Sequence, residues 1–203
     1  RQLATRRELA PAQRREKIER LHDLVRAIRA CPKPVIAAVE GGAAGAGMSL
    51  ALACDMLVAA NNAFFTMAYV KVGLSPDGGA TSFLSQFLSR QQMMELCLLG
   101  ERIPAERLHA FGAVNRLSAP GAALAEALAL AGRIAGGPAN AAERIKRLCE
   151  SAGHASLEQQ LDLEAQYMAQ SQGDDEAQEG IKAFFDKRAP DFASLRGRTG
   201  ETQ

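Results

Sequence analysis

The feature that most constrains this chain is an almost side-chain-free stretch that directly follows an apolar run. The run "PVIAAV" (34–39) is short and has no polar face, as in a strand covered on both sides. The next stretch, "GGAAGAGMSLALACD" (41–55), contains four glycines and five alanines. Residues this small let backbone approach backbone or a ligand. The pattern therefore predicts a tight connection from a strand to a helix that starts near Gly47.

The peptide N–H groups at the start of that helix are candidate hydrogen-bond donors. The first N–H groups of a helix have no partner inside it and lie at the positive end of the helix dipole. Gly45 and Gly47 flank Ala46, so the Ala46 N–H is the best placed to donate to an oxyanion that forms during a reaction. The alternative is a packing turn that uses small residues only for space. A phosphate-binding loop is a weaker interpretation, because the sequence contains neither GxxxxGK[ST] nor GxGxxG.

The rest of the chain alternates short strands with helices and then becomes helical. We expect a mobile lead-in over residues 1–16, with a helix evident from Arg14 because apolar residues recur every three or four positions. This order predicts an α/β core over 1–120 and a helical region over 121–203. The predicted strands cover 35–40, 56–60 and 63–69; the predicted helices cover 81–99, 104–112, 122–135, 139–152, 156–170 and 174–188.

Composition excludes several classes of protein. The formal net charge of +1 argues against a nucleic-acid partner, and no apolar run approaches the roughly 20 residues of a membrane span. The cysteines are scattered and form no CxxC pair, which indicates reduced thiols and a cytoplasmic location. They are Cys31, Cys54, Cys97 and Cys149. The isolated histidines predict no metal site.

Four segments together resemble the crotonase superfamily of enoyl-CoA hydratases and isomerases. They are "KPVIAAVEGGAAGAGMSLALACDMLVAANNAFF", "KVGLSPDGGATSFL", "LLGERIPAERLHAFGAVNRL" and "EGIKAFFDKRAPDF". The resemblance runs from about Pro32 to Phe192, in the order and spacing of the family. It implies an α/β fold, a crotonase-like ββα spiral core with a C-terminal helical region, assembled into trimers or hexamers.

The resemblance also implies the substrate and the oxyanion site. The substrate would be an acyl-CoA thioester, with coenzyme A arriving as part of it and no other cofactor or metal. Two peptide N–H groups hold the thioester oxygen in the family, and the second of them falls on Ala46, where Gly45 and Gly47 allow the geometry. The first comes from a segment upstream of Arg1. We therefore expect this chain to lack the N-terminal part of a typical member.

Of the three positions where members of the family carry an acid, only one is acidic in this sequence. Hydratases of the family carry two glutamates, which fall on Ser49 and Tyr69. Asp77, in "SPDGG", matches the aspartate that moves a proton between carbons in isomerase branches. One carboxylate suffices for that task, because the same group can remove a proton at one carbon and return it at another.

Each of these side chains also has a simpler interpretation. Asp77 precedes two glycines and could be the N-cap of the next helix. Ser49 could bind substrate, although filling the start of a helix is the favoured role. The Tyr69 hydroxyl could point into the site or lie in the core. Phe65 and Met67 could line an acyl pocket or pack in the core.

The C-terminal segment offers a second, weaker binding prediction. The resemblance implies that Lys182, Phe185 and Lys187 lie where the family binds the phosphates and adenine of coenzyme A. A solvated basic helix face is the alternative.

Three functions follow from these residues. The preferred one is an enoyl-CoA isomerase in which Asp77 is the acid and base and Ala46 supplies part of the oxyanion hole. A hydratase with a displaced acid is the second. A non-catalytic subunit that binds acyl-CoA or assists assembly is the third, since Ser49 and Tyr69 replace two acids.

Overall fold

A computed structural model describes residues 8–196, which form two compact units. One unit contains Val35–Ala127 together with the helix that precedes it, and the other contains Pro32–Pro34 and the described residues from Leu128 onward. The two units divide between Ala127 and Leu128, so a domain boundary after residue 120 stays a prediction. Residues 1–7 of the predicted lead-in lie outside the described residues.

The first unit contains six strands and five complete helices among the described residues. The strands are β1 (Ile36–Val39), β2 (Gly42–Ala44), β3 (Met56–Ala60), β4 (Phe64–Thr66), β5 (Ile103–Pro104) and β6 (Arg116–Ser118). The helices are α1 (Pro11–Ala30), α2 (Ala46–Ala53), α3 (Ala80–Leu84), α4 (Arg90–Leu99) and α5 (Ala105–Ala110), with a 3-10 helix at Ala68–Val72.

The first sheet is built from β1, β3 and β6, in that order and all parallel. Strand β3 is at its centre and is apolar throughout, and its residues from Leu57 to Ala60 are buried. A parallel central strand is covered on both faces, which explains the continuous apolar run. Asp55 precedes this strand, and its carboxylate accepts a hydrogen bond from the Val35 N–H at 2.7 Å. This contact gives Asp55 a structural role at the start of the strand.

The second sheet contains a strand that the sequence analysis missed. Strand β2 pairs in parallel with β4, which pairs in antiparallel fashion with β5. A Cβ at Gly42 would overlap the ring of Phe64, so a larger residue there would require that ring to move. Glycine and alanine have low strand propensity, and for that reason Gly42–Ala44 was predicted as a loop. The predicted strand 63–69 is also shorter than expected, because the 3-10 helix begins at Ala68.

Two predicted helix boundaries were wrong. Helix α1 begins at Pro11 rather than near Arg14, because proline fits the first turn, where its missing N–H costs no hydrogen bond. The predicted helix 81–99 is two helices, α3 and α4. Ser89 starts α4 with a capping box: its Oγ accepts from the Gln92 N–H at 3.3 Å, and its own N–H donates to the Gln92 side chain at 3.0 Å. The Ser-x-x-Gln spacing was visible in the sequence.

The second unit is helical, as predicted. It contains the later part of α6 (Ala123–Ala135), then α7 (Ala139–Ala152), α8 (Leu157–Gln172) and α9 (Asp175–Phe185). The Glu176 carboxylate accepts hydrogen bonds from the N–H groups of Ala139 and Asn140, at 2.7 and 3.1 Å. A carboxylate at the positive end of a helix compensates its unpaired N–H groups, which fixes the start of α7.

Candidate active site

The glycine stretch forms a turn that glycine adopts without strain and that ends in an open N–H group. Gly45 has φ 53° and ψ −122°, a conformation that side chains disfavour, and its N–H donates to the Thr66 carbonyl at 2.9 Å. Ala46 is the first residue of α2, and within residues 8–196 no acceptor takes its N–H. A lone donor at the positive end of a helix is suited to stabilising negative charge.

We expect Gly45→Ala to destabilise the chain and Gly47→Ala to stabilise it slightly. Alanine at Gly45 must adopt the positive φ of that turn, which costs about 1–3 kcal/mol of unfolding free energy. A Cβ at Gly47 meets no atom within 4 Å, and helical alanine is about 0.5–1 kcal/mol more stable than glycine. Urea unfolding of both variants measures the difference. Equal free energies of unfolding for the two variants would show that a side chain at Gly45 causes no strain.

Ser49 has a structural role in this geometry. Its side chain is fully buried, and its hydroxyl donates to the Asp77 carbonyl oxygen at 2.9 Å, with the Gly45 carbonyl oxygen at 3.3 Å. Ser49, where the family resemblance predicts a hydratase glutamate, therefore joins the start of α2 to the loop that carries Asp77.

The Asp77 side chain is held by Tyr69. The phenolic hydroxyl of Tyr69 donates to Oδ1 of Asp77 at 2.6 Å, and no other hydrogen bond to that carboxylate occurs within the described residues. The two residues come together because the 3-10 helix that carries Tyr69 ends at Gly73 and the chain then turns back, with the Leu74 N–H bonded to the Tyr69 carbonyl at 3.0 Å. No hydrogen bond within residues 8–196 engages Oδ2.

The interpretation of Asp77 as a helix cap is wrong. The N-cap of α3 is Gly79, and no side chain caps that helix. The Asp77 carbonyl, not its carboxylate, accepts from the Ala80 N–H at 3.3 Å and from Ser49. Within the described residues, the carboxylate is therefore not engaged by the backbone.

Tyr69 lies between the turn that carries Ala46 and the Asp77 carboxylate. A Cβ at Gly45 would lie 3.4 Å from Cζ of Tyr69 and 3.6 Å from its hydroxyl, so the ring lies against the turn. Burial raises the pKa of Tyr69 to about 12, and the hydrogen bond to Asp77 also raises it, against a lowering contribution from Ser49. Because the pKa is so high, the phenol keeps its proton and remains a donor at neutral pH.

The remaining predicted site residues are Phe65 and Met67 in the first unit and three residues in the second. Phe65 and Met67 are fully buried in the hydrophobic core, and the core interpretation describes them better than a substrate pocket. Lys182, Phe185 and Lys187 lie in the second unit. Phe185 is 76% exposed, and its ring meets Phe184 edge-on, with 5.7 Å between the ring centroids. These three residues keep a binding role only as a prediction.

Metal binding and membrane insertion depend on features that can be checked against the described part of the chain. No three His, Cys, Asp or Glu side chains between residues 8 and 196 are grouped so that they could hold a metal ion. None of the helices described is both long and apolar enough to cross a membrane. A surface depression lined by Leu96, Leu99, Arg102 and Phe111, among others, contains none of the predicted site residues.

Known proteins resemble this chain along most of its length. Residues 2–195 match the family model described as Enoyl-CoA hydratase/isomerase. A 1,2-epoxyphenylacetyl-CoA isomerase of Escherichia coli K12 is 40% identical over 176 residues, which are 86% of this chain and 67% of the relative. A probable enoyl-CoA hydratase of Rhodobacter capsulatus is 36% identical over 174 residues, 86% of this chain and 68% of the relative. The chain thus spans about two thirds of the length of these relatives.

A solved structure shares the fold. The crystal structure of an enoyl-CoA hydratase from Polaromonas sp. JS666 superposes with a TM-score of 0.91 at 48% identity, covering 93% of this chain and 74% of that one. Identity and coverage of this size confirm the crotonase fold predicted from the sequence. The chain belongs to the enoyl-CoA hydratase/isomerase family.

Proposed function

We propose that the chain catalyses double-bond isomerisation of an enoyl-CoA thioester, from the 3-enoyl to the 2-enoyl form. The observation that carries the proposal is the Asp77 carboxylate, which is not a cap and is held through one oxygen only. The two positions where hydratases of the family carry glutamates are Ser49 and Tyr69, and the side chains there bond to Asp77 instead. A single carboxylate fits proton transfer better than hydration, for which the family uses two.

The proposed reaction moves one proton between two carbons. Asp77 Oδ2 removes a proton from C2 of the 3-enoyl thioester, and the electrons of that C–H bond form a dienolate whose charge rests on the thioester oxygen. The Ala46 N–H donates to that oxygen. Preorganised donors of this kind are worth about 3 kcal/mol each. Asp77 then returns the proton to C4, and the double bond lies between C2 and C3.

The cofactor requirement, the assembly and the cellular location of the chain are also proposals. Coenzyme A is part of the substrate and no other cofactor takes part, with Lys182, Phe185 and Lys187 as candidate contacts to it. The family resemblance supports a homotrimer or hexamer. The four cysteines are free, which supports a reducing, cytoplasmic location.

The names of the relatives support an isomerase and keep a hydratase as the second candidate. The E. coli relative is named an isomerase of 1,2-epoxyphenylacetyl-CoA, whereas the R. capsulatus relative is named a probable hydratase. Double-bond isomerisation and hydration of an enoyl-CoA both pass through an enolate on the thioester oxygen. The Ala46 N–H can therefore serve either reaction. The carboxylate arrangement is the feature that favours isomerisation.

The test is an assay of the full-length gene product against two sets of substrates. With 3-enoyl-CoA esters we expect the ultraviolet absorbance of the conjugated 2-enoyl thioester to rise. With 2-enoyl-CoA esters we expect no loss of that absorbance, because water is not added. 1,2-Epoxyphenylacetyl-CoA is included as the substrate named for the E. coli relative, with formation of its isomer followed by chromatography.

Each alternative has its own outcome in the same assay. Loss of conjugation from 2-enoyl-CoA would replace the isomerase by a hydratase. Binding of the esters in calorimetry, with no turnover of any of them, would favour the non-catalytic subunit. A run in deuterium oxide adds a check on mechanism: a single base that carries the proton from C2 to C4 leaves some protium at C4 of the product.

A further inference from the structure

Tyr69 has no part in the proton transfer proposed above, although its hydroxyl makes the one hydrogen bond that the Asp77 carboxylate has within the described residues. The distance of 2.6 Å is short, as expected when a phenol donates to a charged carboxylate. Asp77 itself lies in the loop between the 3-10 helix and α3. Without this bond, its side chain could rotate between staggered positions.

Tyr69 is itself well placed to fix another group. It is carried on the 3-10 helix and packs against the hydrophobic core, and its ring lies beside the backbone of Gly45. An aromatic ring fixed on two sides presents its hydroxyl in one direction. The hydroxyl therefore holds Asp77 at a set position relative to the turn that carries Ala46.

We propose that Tyr69 is a positioning residue, whose hydroxyl holds Oδ1 of Asp77 so that Oδ2 alone exchanges protons with the substrate. The inference rests on the proposed function, because it assumes that Asp77 is the acid and base. It assigns Tyr69 no contact with the substrate. Tyr69 thus fills the place of a hydratase glutamate with a group that orients the remaining acid.

The kinetic test compares Tyr69→Phe with the wild-type chain. Phenylalanine keeps the ring and its packing and removes only the hydroxyl. We expect kcat for isomerisation to fall about 10- to 100-fold, since small misplacements of a catalytic group have effects of this size. KM is expected to stay unchanged, because the phenol does not touch substrate. Tyr167→Phe, in α8 of the second unit, is the matched control with unchanged kcat.

The second test does not depend on activity. The 203-residue chain has two tyrosines, so in a titration of this chain the Tyr167→Phe background leaves Tyr69 as its only phenol. We expect its phenolate absorbance to rise only as the pH nears the Tyr69 pKa of about 12. Adding Asp77→Asn removes the facing charge, and the ionisation should then begin at lower pH. The same titration in both proteins would overturn the contact.

The outcomes separate this inference from the function on which it rests. A wild-type chain that isomerises substrate, with Tyr69→Phe equally active, overturns the positioning role and leaves the isomerase intact. A rise in KM at unchanged kcat would show that Tyr69 binds substrate instead, which also overturns it. Should the wild-type chain turn over no substrate, the proposed function fails, and the positioning role fails with it whatever the titration shows of the Tyr69–Asp77 contact.

Discussion

Asp77→Asn is expected to lower kcat for isomerisation at least about a hundredfold, which corresponds to about 2.7 kcal/mol of activation free energy. Asparagine has the shape of aspartate, and its Oδ1 can still accept the hydrogen bond from Tyr69. Its amide nitrogen then takes the place of Oδ2 and cannot accept a proton from C2. The loss would thus report the missing base and not a rearranged loop. Steady-state kinetics on 3-enoyl-CoA measure it.

Two controls make this result specific. Ser75→Ala changes an exposed residue of the same loop and should leave kcat unchanged. Thermal unfolding of Asp77→Asn should match the wild-type chain, because the carboxylate caps no helix. Activity that survives in Asp77→Asn would mean that another group moves the proton, and the isomerase mechanism given above would be wrong.

The fold was predictable from the sequence where side-chain patterns are strong. The apolar run at β3 and the three- and four-residue spacings of the later helices gave the right elements, and the motifs gave the family. Strand β2 was missed because Gly42–Ala44 pairs through its backbone alone, and its partner strand has to be known before the pairing can be recognised. The break before α4 was missed even though the Ser89 capping box is local.

The sequence pointed to Ser49, Tyr69 and Asp77 as candidates, but it did not predict the hydrogen bonds that join them. Ser49, Tyr69 and Asp77 were identified by position in a family motif, but propensity and spacing assign Asp77 to a helix cap. The hydrogen bond between Tyr69 and Asp77 spans eight residues and depends on a 3-10 helix and a reversal at Gly73, which no periodicity signals. Contacts of this kind can be seen only in the three-dimensional structure. They determine which oxygen of Asp77 is held by a hydrogen bond.

Ala46→Pro is the second variant from which we expect a large effect. The position is the first residue of α2, where proline is tolerated because the N–H there has no helical partner. The preceding Gly45 has ψ −122°, outside the helical region that proline disfavours in its neighbour. The variant should therefore fold with the stability of the wild-type chain, as thermal unfolding can check.

Its activity should nevertheless be nearly lost. The proline ring removes the N–H and fills the space where the oxyanion would lie, so we expect kcat/KM to fall about 10²- to 10³-fold or more. Ala46→Gly keeps the N–H and is the matched control, with most activity retained. An active Ala46→Pro variant would place the oxyanion elsewhere. A joint loss in Ala46→Pro and Asp77→Asn, with both proteins folded, would tie the open N–H and the lone carboxylate to one reaction.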